Sequence, residues 1–242
     1  MPVREHNLLE LLKKFSEQFH PVVPFNPAKE KLILFDFTEN NATLKEIDLS
    51  DTEKFCDFIN GLLQKANAKF GAGGYNELRN LYSRSPLFDN NVNNHFSEIE
   101  EPRRLHLGID IWGAAGTPIF APLDGTVHSF AFNNNFGDYG ATIILQHESK
   151  EVKFFTLYGH LSLPDLQNIK EGDFIKGGQL FAHFGEPAEN GHWPPHLHFQ
   201  VIEDLGNYKG DYPGVCKFSE REKYLANCPD PDFILNMNRF QM

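Results

Sequence analysis

Two short motifs, far apart in the chain, carry the residue types of a metal-dependent hydrolase. His106-Leu107-Gly108-Ile109-Asp110 gives an H-x-x-x-D, and His196-Leu197-His198 gives an H-x-H. Imidazole nitrogen and carboxylate oxygen are the donors that zinc takes in catalytic sites, which keep one position open for water. Either motif alone is weak, because 11 histidines in 242 residues produce close pairs by chance. The surrounding pattern sharpens the signal. Leu105, Leu107, Ile109 and Ile111 alternate with His106, Gly108, Asp110 and Trp112, and Leu197, Phe199 and Val201 alternate with His196, His198 and Gln200. On a strand, successive side chains point to opposite faces, so each motif is expected to present its polar residues on one surface. Gly108 and its β-branched neighbours argue against a helical H-x-x-x-D.

A third alternating stretch, Thr156-Leu157-Tyr158-Gly159-His160-Leu161, is expected to place Thr156, Tyr158 and His160 on one face. The run from His106 through His160 to His198 resembles the lysostaphin-type zinc endopeptidases, which cut peptidoglycan cross-bridges. Gly116-Thr117-Pro118-Ile119, Asp124-Gly125-Thr126-Val127, Glu171-Gly172-Asp173 and Lys176-Gly177-Gly178-Gln179 match the connecting segments of that family as well, so the resemblance covers roughly residues 103–203. It implies that His106, Asp110 and His198 bind zinc, and that His160 and His196 stand beside the metal as catalytic histidines. It also implies an antiparallel β core with the metal in a loop-lined groove. Trp193-Pro194-Pro195 replaces the small lead-in usual before the H-x-H, which stiffens and narrows one wall.

The chemistry is consistent with that assignment. Two neutral imidazoles and one carboxylate leave a net charge of about +1 on a zinc ion, enough to lower the pKa of its water towards ~7. The chain has no H-E-x-x-H and hence no glutamate base of that class. A histidine is the side chain best tuned to replace it near neutral pH. His196 is read as the general base and His160 as the donor to the oxyanion, with the two roles exchangeable. His147 is read as a strand-end hydrogen-bonding residue, His192 as a loop residue that could line the cleft, and the other histidines as ordinary.

Composition narrows the function classes. A net charge of -11 argues against nucleic acid, which demands clustered Lys and Arg. No apolar run approaches the ~18 residues of a membrane span. Met1 to Phe19 reads as a charged amphipathic helix and not as a secretory signal. Cys56, Cys216 and Cys228 are odd in number and lack metal spacing, so reduced thiols and a cytoplasmic location are expected. The tail from Asp211-Tyr212-Pro213-Gly214-Val215 through Cys228-Pro229-Asp230-Pro231-Asp232 resembles versions of this domain within longer, apparently cytosolic chains.

Residues 1–100 read as a small α/β accessory region, and 101–242 as the zinc peptidase domain with a C-terminal extension. In the first part, Lys31–Phe37 and Leu44–Leu49 are expected as strands joined by a turn at Glu39-Asn40-Asn41. A helix capped by Ser50 or Asp51 should run to about Ala68, with Gly71-Ala72-Gly73-Gly74 as a turn. Asp89–His95 reads as a linker. This segment or the N-terminal unit is a candidate cover for the cleft.

From residue 103 onward, short strands between turn signals suggest an antiparallel sandwich or barrel, so the fold class expected is α+β. The leading function is a zinc metalloendopeptidase acting on peptidoglycan cross-link peptides or a related small peptide. Two other classes compete with it: a catalytically silent zinc-binding regulatory module, and a phosphocarrier or swinging-arm domain. The latter is suggested by the turn Lys170–Gln179, and Asp110 with the full ligand set argues against it.

Overall fold

Strands of this chain are long where β-branched and aromatic residues alternate, and the longest of them form one sheet. The computed structural model describes residues 8–14, 16–89, 101–149 and 152–237. In chain order its strands are β1 (Leu32–Leu34), β2 (Phe70–Gly73), β3 (Leu105–His106), β4 (Ile109–Trp112), β5 (Pro118–Phe120), β6 (Gly125–Asn133), β7 (Gly140–Glu148), β8 (Lys153–Leu161), β9 (Phe174–Ile175), β10 (Leu180–His183), β11 (His196–Ile202) and β12 (Val215–Cys216). The α-helices are α1 (Leu8–Lys14), α2 (Thr52–Ala66), α3 (Arg221–Asn227) and α4 (Asp232–Leu235). Eight strands pair in the order β1-β2-β4-β11-β8-β7-β6-β9, antiparallel except for β1 with β2. Two ribbons, β5 with β10 and β3 with β12, flank it. The protein is therefore β-rich with few helices, as the alternating patterns predict.

Each face of the sheet is buried. Leu197, Phe199 and Val201 of β11 join Ile143 and Leu145 of β7 in one core, closed by Ile119 of β5 and Ala182 of β10. On the other face lie Ile144, Leu157, Ile202 and Tyr139, under Tyr212 and Cys228. A third cluster packs Phe55, Ile59 and Leu63 of α2 against Phe37, Trp112 and Trp193. Because β11 is buried throughout, its polar residues His196, His198 and Gln200 must find partners inside the protein.

The N-terminal part departs from expectation. Residues 1–7 and Asn90–His95 fall outside the described residues. Leu44–Leu49 is not a strand: Asn41 accepts the Thr43 N–H and starts a short 3-10 helix over Ala42–Glu46. This local cap competes successfully with a two-residue alternation. The partner of β1 is instead β2, which is made from the Gly71-Ala72-Gly73 stretch expected as a turn. A Cβ on Gly71 would strike the Phe35 ring, so glycine here permits close packing of a buried strand. Only Gly74, at φ +83°, makes the turn. Helix α2 starts where expected, with Asp51 accepting from Glu53 and Lys54 N–H, and ends at Ala66 before Asn67 in the left-handed region. Strand β2 continues the sheet through its pairing with β4, so the first part of the chain shares a sheet with the metal motifs.

Candidate metal centre

Register brings the two distant motifs together. Strands β4 and β11 pair with Asp110 opposite His198 and Trp112 opposite His196. The expected strand over Leu105–Trp112 is interrupted at Leu107-Gly108, where the His198 ring lies against the Gly108 backbone. A Cβ on Gly108 would stand 2.6 Å from His198 Cε1. His106 Nε2 is 2.9 Å from His198 Nδ1 and 3.3 Å from Asp110 Oδ1, and His198 Nδ1 is 3.1 Å from the same oxygen. These three groups each offer a ligand atom within 4.8 Å of the others, and all three side chains are buried.

Hydrogen bonds set which nitrogen faces the centre. His106 Nδ1 lies 2.8 Å from the Gly74 carbonyl, so it carries the proton and Nε2 is left as a lone pair. His198 Nε2 lies 2.9 Å from Gln200 Oε1, so it is the donor and Nδ1 is left as a lone pair. Two nitrogen lone pairs and a carboxylate oxygen then converge with no proton among them. Such a donor set repels itself unless a cation sits within it, and nitrogen and oxygen donors of this kind suit a borderline metal ion. The residues fit a metal.

The two histidines beside this group are arranged alike. His196 Nδ1 donates to the Pro194 carbonyl and His160 Nδ1 to the Asn190 carbonyl, each at 2.7 Å, which leaves Nε2 free on both rings. The rings lie 4.0 Å apart between centroids, and Trp112 stacks on His196 at 3.9 Å. His196 Nε2 is 4.0 Å from Asp110 Oδ1.

His160 arrives by a route the alternation did not predict. Thr156, Tyr158 and His160 do not share a face. Between the pairs Ile143↔Tyr158 and Ala141↔Leu161, β8 contains one residue more than β7, and His160 sits at φ +63° in that bulge. The extra residue places both Tyr158 and Leu161 in the core and returns His160 to the cleft.

Residues 104–210 match the model for Peptidase family M23. That segment is similar to an M23 peptidase domain. The chain is similar to peptidoglycan DD-endopeptidase ShyC of Vibrio cholerae, 29% identical over 134 residues, which covers 52% of this chain and 28% of that protein. It is 33% identical over 98 residues to DD-carboxypeptidase/endopeptidase Mpg of Neisseria meningitidis, covering 40% of this chain and 20% of the relative. Lysostaphin of Staphylococcus staphylolyticus is 27% identical over 110 residues, 45% of this chain and 21% of its own length. The chain thus spans less than a third of each of these relatives.

The site is kept neutral at His106, His160 and His196 and charged at its carboxylate. Burial lowers the pKa of His106 to about 4, helped by the Arg79 charge, and that of His196 to about 4. Burial and the neighbouring His196 hold His160 well below the ordinary histidine value. Burial alone would raise Asp110, but His106 and Arg79 outweigh it and hold the carboxyl well below its usual range.

A cleft of about 180 Å³ opens on the site, with Arg79, Tyr82, Phe88, Tyr139, Trp193 and Tyr212 among its walls. Trp193 is the wall residue its sequence position suggests. Tyr82 and Phe88 come from the N-terminal part of the chain. His192 is exposed and stacks on Phe136 at 5.5 Å instead of lining the cleft. His147 donates from Nδ1 to the Asp124 carbonyl and accepts at Nε2 from Thr156 Oγ1, away from the metal group.

Three residues around this site were given no role in it by the sequence reading. Gln200 extends the H-x-H alternation by one step, and that pattern could have marked it. Gly74 and Arg79 carry no local signal, because only the pairing of β2 with β4 brings them in.

Proposed function

We propose that this M23-like domain is a zinc-dependent endopeptidase that cleaves peptide bonds in peptidoglycan cross-links or related small peptides. The observation that carries the proposal is the convergence of His106 Nε2, Asp110 Oδ1 and His198 Nδ1 with no proton among them. The activity of the Vibrio cholerae relative, a peptidoglycan DD-endopeptidase, supports the substrate class.

Zinc held by these three atoms supplies Lewis acidity towards a carbonyl and towards water when bound. The protein's own groups handle the proton. His196 Nε2, free and neutral, takes a proton from the attacking water as the water oxygen bonds to the carbonyl carbon. A pKa of about 4 makes the protonated ring a ready donor, so the same proton passes to the leaving amine as the C–N bond breaks. His160 in its neutral form also presents an acceptor, since Nδ1 is committed to Asn190. It can donate to the oxyanion only after gaining a proton, which the low pKa opposes. At rest we therefore assign it to holding a water hydrogen. Trp112 and Trp193 exclude bulk water around both rings.

The test is mass spectrometry of zinc-loaded protein incubated with peptidoglycan fragments and with unrelated short peptides, beside His196→Ala. Cleavage of cross-link peptides that the variant loses is the expected result. Zinc bound without any cleavage would leave a silent metal-binding module in its place.

A further inference from the structure

Two of the three metal-facing groups are oriented from outside the segment that matches the M23 model. Strand β2 places Gly73 opposite Asp110. The chain after it runs beside β3: Asn76 N–H donates to His106 O, His106 N–H to Glu77 O, and Arg79 N–H to Arg104 O. This ladder delivers the Gly74 carbonyl to His106 Nδ1. It also delivers the Arg79 guanidinium to Asp110.

Arg79 is 1% exposed and bridges two carboxylates. Nη1 donates to Asp110 Oδ2 at 2.5 Å and Nε to Glu77 Oε2 at 2.5 Å. Glu77 is held in turn, since its Oε1 accepts the Phe37 N–H. Burying a guanidinium costs several kcal/mol unless its charge is matched, and here two carboxylates match the charge, while Nη2 has no hydrogen-bond partner among the described residues. Gly74 makes room for this pair, because a Cβ there would collide with Arg79 Nη2 and Glu77 Oε2. The consequence falls on Asp110. With Oδ2 occupied by Arg79, only Oδ1 faces His106 Nε2 and His198 Nδ1.

We infer that Arg79 is the positioning residue of the metal centre. Its fork holds Asp110 so that one carboxylate oxygen serves the ion, and the turn Gly74–Arg79 forms the outer layer of the site. This rests on the reading that the centre binds zinc. The fork geometry matters more than the charge, because lysine cannot serve Glu77 and Asp110 together along fixed directions.

The experiment measures zinc affinity by chelator competition, and the visible spectrum of the cobalt-substituted protein, for wild type, Arg79→Lys and Arg79→Met. Folding is checked by circular dichroism. Wild type should bind zinc; failure to do so overturns the zinc reading and this inference with it. Arg79→Lys keeps the buried charge balance and should fold, with zinc affinity about 10–100-fold weaker and an altered cobalt spectrum. A folded Arg79→Lys with wild-type affinity and spectrum overturns the inference while leaving zinc binding intact. Arg79→Met, where it folds, should show at least the same loss.

A measurement on wild type decides the matter even if neither variant folds. The Arg79 Nη1–H resonance, which reports the bond to Asp110, should stay protected from solvent exchange when zinc is added. Loss of protection on zinc loading would make Arg79 a counter-ion displaced by the metal and not its positioning partner.

Discussion

His160 stands in the cleft while Tyr158, two residues earlier on the same strand, lies in the core on the opposite face. The bulge that separates them holds His160 at φ +63°, a left-handed conformation that costs a non-glycine residue about 1–2 kcal/mol. The strain sits at the side chain proposed above to hold a water hydrogen. His160→Gly should therefore be more stable than His160→Ala by about 1 kcal/mol in urea unfolding. Both should keep their metal and lose most turnover. Equal stability of the two variants would remove the strain argument, and metal loss in both would make His160 part of the ligand set.

His196→Ala tests the division of labour directly. Its Nε2 faces the metal group without belonging to the group whose ligand atoms lie within 4.8 Å. Turnover should fall about 10²–10⁴-fold with metal content unchanged. Stoichiometric metal analysis beside the rate separates the cases, since a parallel fall of both would turn His196 into a ligand.

Gln200 should matter to a group it never touches. It accepts from His198 Nε2 at 2.9 Å and donates to the Pro213 carbonyl, which fixes both the tautomer and the tilt of the ring. Gln200→Leu keeps most of the volume and leaves the His198 N–H without this buried acceptor. Metal affinity should weaken about 10–100-fold while the fold persists. An unchanged metal dissociation constant would show that the register of β4 and β11 orients His198 sufficiently by itself.

The parts of this site legible in the sequence are those that follow from alternation along a single strand. His196, His198 and Gln200 share a face because β11 is regular, and their register with β4 puts His198 opposite Asp110. His106 was legible as a residue type, although β3 and β4 are separated at Gly108 where one strand was expected. The bulge at His160 was not legible, because an inserted residue leaves the apolar pattern Phe155, Leu157, Leu161 looking continuous. Arg79 was hidden for a different reason. Its partners lie 31 residues away at Asp110 and two away at Glu77, and only the placement of β2 beside β4 makes them neighbours. The same cause hid β2 itself, whose glycines read as a turn until the Phe35 ring that covers Gly71 is known.

His147 supplies a pH dependence that is independent of the metal. Burial lowers its pKa from 6.5 to about 4, and the neutral ring bridges the Asp124 carbonyl and Thr156 Oγ1. Between these two values the unfolded chain binds a proton at this position and the folded protein does not, so stability rises with pH across that window. The contribution is full above about pH 6.5 and is lost as pH falls towards 4, amounting to about 3 kcal/mol for this group. His106, His160 and His196 add slopes of the same sign, so the comparison must isolate His147. In metal-free protein, His147→Gln should be less stable than wild type at pH 7.5, and the gap should narrow as the pH approaches 4.5. Urea midpoints at a series of pH values provide the measurement. A gap that stays constant over this range would mean that the ring titrates alike in the folded and unfolded chains, contrary to its burial.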